Sequence, residues 1–204
     1  MPEPFFGDPA ANAPVWSKYA VLLGSTTATI PTGNAAFTLN DDPTPTDQWD
    51  PVGALDSDSP FNNGEESVDS TDHSAAGFGV YATTFKNAKE TVTFIAKETT
   101  LVTLGILYDV SDVTDTTGTL SGTLKRRDYT KQYRVAFHRE NGTHCERRIS
   151  KNYATIESAE RDASNDESLY TVTLLIVPTS TDELYSYYLG PKLADSSSSS
   201  SSSS

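Results

Sequence analysis

Phe78-Gly79-Val80-Tyr81-Ala82-Thr83-Thr84-Phe85-Lys86-Asn87-Ala88-Lys89-Glu90-Thr91-Val92-Thr93-Phe94-Ile95-Ala96 is the stretch that decides the fold class. Phe78, Val80, Ala82 and Thr84 alternate with Gly79, Tyr81, Thr83 and Phe85, the period of two that a strand imposes. Residues 91–96 are rich in β-branched and aromatic groups, which suit a pleated, half-buried surface. The polar Lys86-Asn87-Ala88-Lys89-Glu90 between them reads as a hairpin tip, so the stretch predicts two antiparallel strands.

Downstream, residues 98–109 carry Leu101, Leu104 and Tyr108 at helical spacing, with Thr99 or Thr100 placed to cap, and predict one short helix. Strand signals resume at 131–138. Asn141-Gly142 predicts a two-residue turn, because that dipeptide tolerates the two positive φ angles of a type I′ hairpin. The return strand is expected over 143–149, with further strands at 153–157, 169–177 and 184–189; the run Leu169-Tyr170-Thr171-Val172-Thr173-Leu174-Leu175-Ile176-Val177 is the strongest. Nine consecutive serines, 196–204, cannot offset their own ordering entropy and predict a flexible tail.

Upstream of Phe78 lies a polar, acidic stretch, 56–77, whose large apolar groups are Phe61 and Val68. It reads as a long loop or hairpin excursion leaving the domain. Before it, Trp49-Asp50-Pro51-Val52-Gly53-Ala54-Leu55 reads as an edge or bulged strand because of Pro51. Strands are also expected at 36–39 and 19–23, the latter closed by Gly24. Pro2, Pro4, Pro9 and Pro14 forbid a helix at the start, leaving an extended arm with Phe5 and Phe6 between the prolines. The expected organisation is an arm over 1–15, a β-domain over 16–190 and a Ser-rich tail over 191–204.

The net charge of −13 is uneven: residues 1–77 hold twelve of the 28 acidic residues and one base, Lys18. A nucleic-acid-gripping surface needs the opposite distribution. Cys145 is the lone cysteine, which excludes an internal disulfide framework or thiolate metal cluster. The opening Met1-Pro2-Glu3-Pro4-Phe5-Phe6 lacks the basic flank and apolar core of a signal peptide, and no apolar run is long enough to span a bilayer. Cytoplasmic synthesis without membrane insertion is the expectation.

Reactive residues do not cluster. His138 and His144 flank the Asn141-Gly142 turn and are placed to face each other beside Cys145, but His144 and Cys145 point to opposite strand faces. His73 lies in the acidic stretch. Asp56-Ser57-Asp58-Ser59 resembles the opening of a calcium loop without its glycine or distal glutamate at loop spacing. No phosphate-cradling glycine loop or nucleophile elbow is present in the sequence. The expectation is a protein with no catalysis, cofactor or metal of its own. Lys125-Arg126-Arg127 reads either as a solvated loop or as an ion-pair patch, meeting acids of the same chain or of a neighbouring copy.

In order, these pieces resemble the major tail protein of long-tailed actinobacterial bacteriophages. Tyr19-Ala20-Val21-Leu22-Leu23-Gly24-Ser25-Thr26-Thr27-Ala28-Thr29-Ile30-Pro31 is similar to that family's opening strand and small-residue turn. Trp49-Asp50-Pro51-Val52-Gly53-Ala54-Leu55-Asp56-Ser57-Asp58 resembles its tryptophan, glycine and acidic signature. Thr91-Val92-Thr93-Phe94-Ile95-Ala96-Lys97-Glu98-Thr99-Thr100 resembles the strand running into a Glu-Thr helix start, and Tyr170-Thr171-Val172-Thr173-Leu174 the late strand. The likeness covers roughly residues 18–190. Leu23, where proline is common, the long acidic stretch and the serine tail depart from the pattern.

The resemblance implies a mostly β, antiparallel sandwich or barrel of the tail-tube type with one short flanking helix. It also implies hexameric rings stacked into the tail tube of a virion assembled in the host cytoplasm. A tape measure protein and assembly chaperones would be partners, and genomic DNA would pass through without specific binding. The candidate contacts between subunits and rings are Phe5 and Phe6 of the arm, Asp56, Asp58, Phe61, Glu65, Glu66, Asp69 and Asp72 of the acidic stretch, and Lys125, Arg126 and Arg127. The rival reading is a β-sandwich capsid-decoration or adhesion module binding a shell or a glycan.

Overall fold

Two runs of three consecutive apolar residues, Val21-Leu22-Leu23 and Val135-Ala136-Phe137, set the layering. Side chains alternate across a strand, so a strand that is apolar at every position must be covered on both faces. The computed structural model describes residues 15–39, 48–58, 60–62, 64–75, 79–162 and 168–193. In it β1 (Lys18–Gly24) and β7 (Gln132–Glu140) lie antiparallel with Leu22 opposite Ala136. Val21, Leu23, Val135 and Phe137 face the main core. Leu22 and Ala136 face the other way, onto Ala28, Trp49 and Ile149.

The remaining elements are β2 (Trp49–Pro51), β3 (Glu65–Ala75), β4 (Gly79–Ala96), α1 (Leu101–Leu107), β5 (Tyr108–Thr116), β6 (Thr119–Arg126), β8 (His144–Ser150), β9 (Ala154–Asp162), β10 (Leu169–Ile176) and β11 (Tyr185–Pro191). One layer runs β2-β1-β7-β8-β11 and the other β9-β10-β4-β3. They join where Gln132 and Tyr133, at the start of β7, pair with Thr155 and Ala154 of β9. Every strand pair is antiparallel, and the sheet stays open, ending at β2, β3 and β11. Between the layers, Val92, Phe94 and Ala96 of β4 and Tyr170, Val172, Leu174 and Ile176 of β10 complete the core. The fold is therefore mostly β and antiparallel with a short helix, as expected, but it is not a closed barrel.

The helix is shorter than 98–109 and capped as the threonines suggest. The Thr103 N–H donates to Thr100 Oγ1 (3.1 Å) and the Thr100 N–H to Thr103 Oγ1 (2.8 Å), a reciprocal box that satisfies two donors at the helix start. Leu104 and Ile106 are buried, and the chain turns extended at Tyr108 to enter β5.

Several expectations need correction. The polar residues 86–90 are not a tip, because β4 is one strand of 18 residues and its hairpin partner is β3. The long acidic stretch 56–77, read as a loop making a hairpin excursion, is half strand, and it does form a hairpin, with β4. A ladder needs only backbone groups, so a ribbon exposed on both faces shows no apolar period. The residues taken for a tip coincide with a register shift, where Ser67 opposes Lys89 but Asp69 opposes Lys86, the signature of a bulge. The strand expected at 36–39 is absent, with Leu39 making an isolated bridge to Trp49 while Phe37 packs edge-on against Trp49 (5.3 Å). Residues 108–126, in which no strand was expected, form the β5–β6 hairpin. Its two-residue turn has positive φ at both Thr117 (54°) and Gly118 (80°), the backbone a tight hairpin wants. Asn141-Gly142 is instead part of a three-residue connection without positive φ. The Asn141 side-chain oxygen accepts from the Thr143 (2.9 Å) and His144 (2.8 Å) N–H groups, an Asx turn in place of the type I′ turn. The arm, apart from Val15, and residues 194–204 of the tail lie outside the described residues.

Candidate assembly surfaces

The ribbon β3–β4 presents the acidic residues. Glu65, Glu66, Asp69 and Asp72 are all exposed on β3. Glu66 stands directly opposite Glu90, a like-charge pair that costs stability across a ladder. Glu90 is held by the Tyr185 hydroxyl, which donates to its Oε1 (2.6 Å); burial first, and then this bond, push the Tyr185 pKa far above its ordinary value. Asp72 accepts from Thr83 Oγ1 across the ribbon (2.7 Å), and His73 Nε2 bonds Thr84 Oγ1 (2.8 Å). Asp58 is exposed, whereas Asp56 pairs with Lys97 (3.1 Å) at the base of the acidic stretch. Phe61 is half-buried and packs on the core. It bridges Phe94 and packs on Phe137 (5.5 Å) and Tyr19 (5.7 Å). Phe5 and Phe6 lie outside the described residues.

The basic run sits at the end of β6. Lys125 is tied to Asp112 across the hairpin (2.5 Å), and that hydrogen bond raises its pKa. Arg126 and Arg127 lie over the exposed Tyr129 ring, 5.3 and 4.6 Å from its centroid. Arg127 Nη1 also donates to the Ile106 carbonyl (3.1 Å), one of the orphan acceptors at the end of α1, where a cation suits the helix dipole. Neither arginine forms an ion pair among the described residues.

Beside this patch a groove of about 840 Å³ runs between α1, the start of β5 and the β1–β7 edge. Leu101, Val102, Tyr108 and Tyr133 wall it, and Arg127, Asp128 and Lys131 stand on its rim. Burial pushes the Tyr133 pKa up to about 12. Asp109 and Asp128 are held charged, the first by the Ser111 N–H and the second by Thr130. These carboxylates are anchored as turn formers, which leaves them poorly placed to shuttle protons.

The histidines do not meet across the β7–β8 hairpin. His138 opposes Arg147, and His144 Nδ1 bonds Thr143 Oγ1 (2.8 Å). His138 Nδ1 accepts from Arg147 Nε (3.3 Å), while its Nε2 lies 3.3 Å from Glu140 Oε2. Glu140 also pairs with Lys18 and Lys192, each at 3.3 Å. Burial raises the Glu140 pKa, but the bonds from His138, Lys192 and Lys18 outweigh it and hold the group below its usual value. Cys145 is buried, which pushes its thiol up and makes it unreactive. Among the described residues no group of three or more His, Cys, Asp or Glu side chains is arranged to hold a metal ion.

Two residues escaped the sequence reading. Arg134 donates to the carbonyls of Ala28 and Lys151, and Arg147 to those of Gly33 and Ala35. Together they staple residues 25–39 over the outer face of the β1–β7 layer. Arginine in an apolar strand was the available signal, but its acceptors are backbone groups that no motif marks.

No protein-family model matches the chain, and no curated protein matches it.

Proposed function

We propose that this chain is a structural subunit that polymerises with copies of itself into a tube, the tail tube of a bacteriophage virion, as stacked hexameric rings through which DNA passes. The β3–β4 ribbon carries the reading. Core contacts of β4 begin at Val92 and its pairing with β10 at Glu90, so among the described residues the strand that pairs with the part from Gly79 to Lys89 is β3. A two-stranded ribbon is marginal in water unless it packs on something. An exposed edge strand of 11 residues is also a pairing template that a closed ring would remove. The order of sequence features that resembles the tail-tube family supports the same conclusion. The acidic net charge of −13 suits a conduit to which phosphate does not stick. A tape measure protein and assembly chaperones would set tube length.

Negative-stain electron microscopy of the purified chain across a concentration series, with light scattering alongside, tests this. Rings or hollow tubes of uniform diameter are expected. A monodisperse monomer at every concentration would overturn the reading in favour of a decoration or adhesion module.

A further inference from the structure

The inner face of the first layer emerges from its cover at β11. Residues directly opposite each other in a ladder share a face, so Val21, Phe137, Arg148 and Tyr187 stand in one row across β1, β7, β8 and β11. Val21 and Phe137 belong to the core, whereas Tyr187 is 59% exposed. In the next row Leu189, 45% exposed, stands beside Glu146, whose carboxylate accepts from Arg139 Nε (2.7 Å). Tyr187, Leu189 and Pro191 alternate along β11 as an exposed stripe about 13 Å long, and exposed Leu193 follows. The described chain begins beside the end of this stripe. Asn141 Nδ2 donates to the Val15 carbonyl (3.3 Å), and the Lys192 N–H donates to the Thr143 carbonyl (2.8 Å). Arg139 also lies over the Trp16 ring, 4.9 Å from its centroid, so the chain enters β1 on this same face.

We infer that residues 1–14 fold back along this stripe in the free chain, with Phe5 and Phe6 seated on Tyr187 and Leu189. Length and point of origin select the arm. Asn141 and Lys192 end strands two spacings apart, about 10 Å. From Val15 back to Phe6 the chain reaches about 28 Å at the rise that prolines favour, enough to cross that gap and run the length of the stripe. Residues 40–47, 163–167 and 194–204, also outside the described residues, hold no aromatic or large aliphatic group. Phe78 lies between β3 and β4, about 50 Å along the ribbon from Phe94. A tethered segment meets the stripe at an effective concentration on the order of millimolar, which a second copy in micromolar solution does not match. Four prolines already restrict the arm, so seating it loses less chain entropy. The arm's acids, Glu3 and Asp8, come to rows that carry Arg139 and Arg148 against one carboxylate, Glu146. The contact lies within one chain and does not depend on the assembly reading.

Limited proteolysis of the full chain tests the docking. Chymotrypsin cleaves after accessible aromatic residues, and cuts after Phe5 and Phe6 are read from the mass of the N-terminal end. At low micromolar protein, these cuts should be about tenfold slower in wild type than in Tyr187→Ser/Leu189→Ser, because the rate tracks the undocked fraction. Both substitutions fall on exposed side chains of an edge strand, so circular dichroism should be unchanged. Conversely, Phe5→Ser/Phe6→Ser should raise hydroxyl-radical oxidation of Tyr187 by about threefold, since the stripe then loses its cover. Equal cleavage rates in wild type and the β11 variant overturn the inference, as does Tyr187 oxidation unchanged by the arm variant. Protection that appears only as protein concentration rises would assign the stripe to a second copy, which also overturns it. If the β11 variant loses its circular dichroism signal, the arm variant, whose changes lie outside the described fold, decides alone.

Discussion

Replacing Arg147 by methionine should loosen residues 25–39 from the layer they cover. Arg147 is only 8% exposed, and its Nη1 donates to the carbonyls of Ala35 (2.5 Å) and Gly33 (3.3 Å). Its Nε bonds His138, and its guanidinium lies 4.9 Å from the Phe37 ring centroid. Hydrogen bonds from a charged donor contribute about 1.5–3 kcal/mol each, with the 3.3 Å pair at the weak end. The stacking on Phe37 adds about 0.5–1 kcal/mol. Methionine keeps most of the stem's packing, and the freed carbonyls can turn to water. The net loss should therefore be about 2–3 kcal/mol, or roughly 5–10 °C in melting temperature for a chain of this size. Trp49 supplies a local probe, because its Nε1 donates to the Thr29 carbonyl (3.0 Å) in the stapled segment and its ring is buried. Urea melts should show the destabilisation, and Trp49 emission should shift to the red before the main transition. A midpoint within about 0.3 kcal/mol of wild type, with unshifted emission, would refute the stapling argument.

His138 gives a pH dependence whose sign follows from its surroundings: burial lowers its pKa below the ordinary 6.5, with Glu140 pulling back and Arg147 adding to the depression. The unfolded chain therefore takes up the proton first, so this stability is complete above pH 6.5 and drains as pH falls from there toward the depressed folded value. His138→Gln should flatten that part of the urea-midpoint profile between neutral and mildly acid pH, and an unchanged slope would discard the argument. Gly122 has φ of 148° and an added Cβ would strike the Asp112 carbonyl, so Gly122→Ala should disrupt the β5–β6 hairpin. Amide exchange should rise along residues 108–126 while the protection of β10 stays unchanged. Thr103 is fully buried and also donates to the Glu98 carbonyl (2.9 Å), so Thr103→Val should cost about 1–2 kcal/mol in chemical denaturation.

The parts legible in the sequence were those stabilised by apolar burial. β1, β7, β8 and β10 carry side chains that must leave water, and α1 announces itself by its threonine cap. The illegible parts are held by the backbone. β3, β5 and β6 have little to bury, so their ladders leave no apolar period, and the Thr117-Gly118 turn lacks the asparagine that would have marked it. Asn141 misled for the opposite reason, since its side chain builds the turn that its backbone was expected to make. At the surfaces, the acids of β3 and the run 125–127 were visible as charge. Phe61 was visible only as an exposed-looking aromatic in a polar stretch, and its place against Phe94 depends on pairing across more than thirty residues. The arginine staples reach carbonyls 106 and 112 positions away, a distance at which no local pattern carries information.

The unbroken course of β4 has a mechanical consequence. Eighteen residues at about 3.3 Å each make a rod of about 60 Å, rooted at Phe94 and Ala96 and ending at Gly79 in the ribbon. Load applied near its free end is borne along one backbone into the rows flanked by β10, with no loop between to take up slack. The two register shifts are the places where such a rod bends, after Ser67 and after His73 on the facing strand. Tension at the ribbon should then register as altered amide protection around Val92 and Phe94, far from where it was applied, making the interior a strain gauge for events at the periphery.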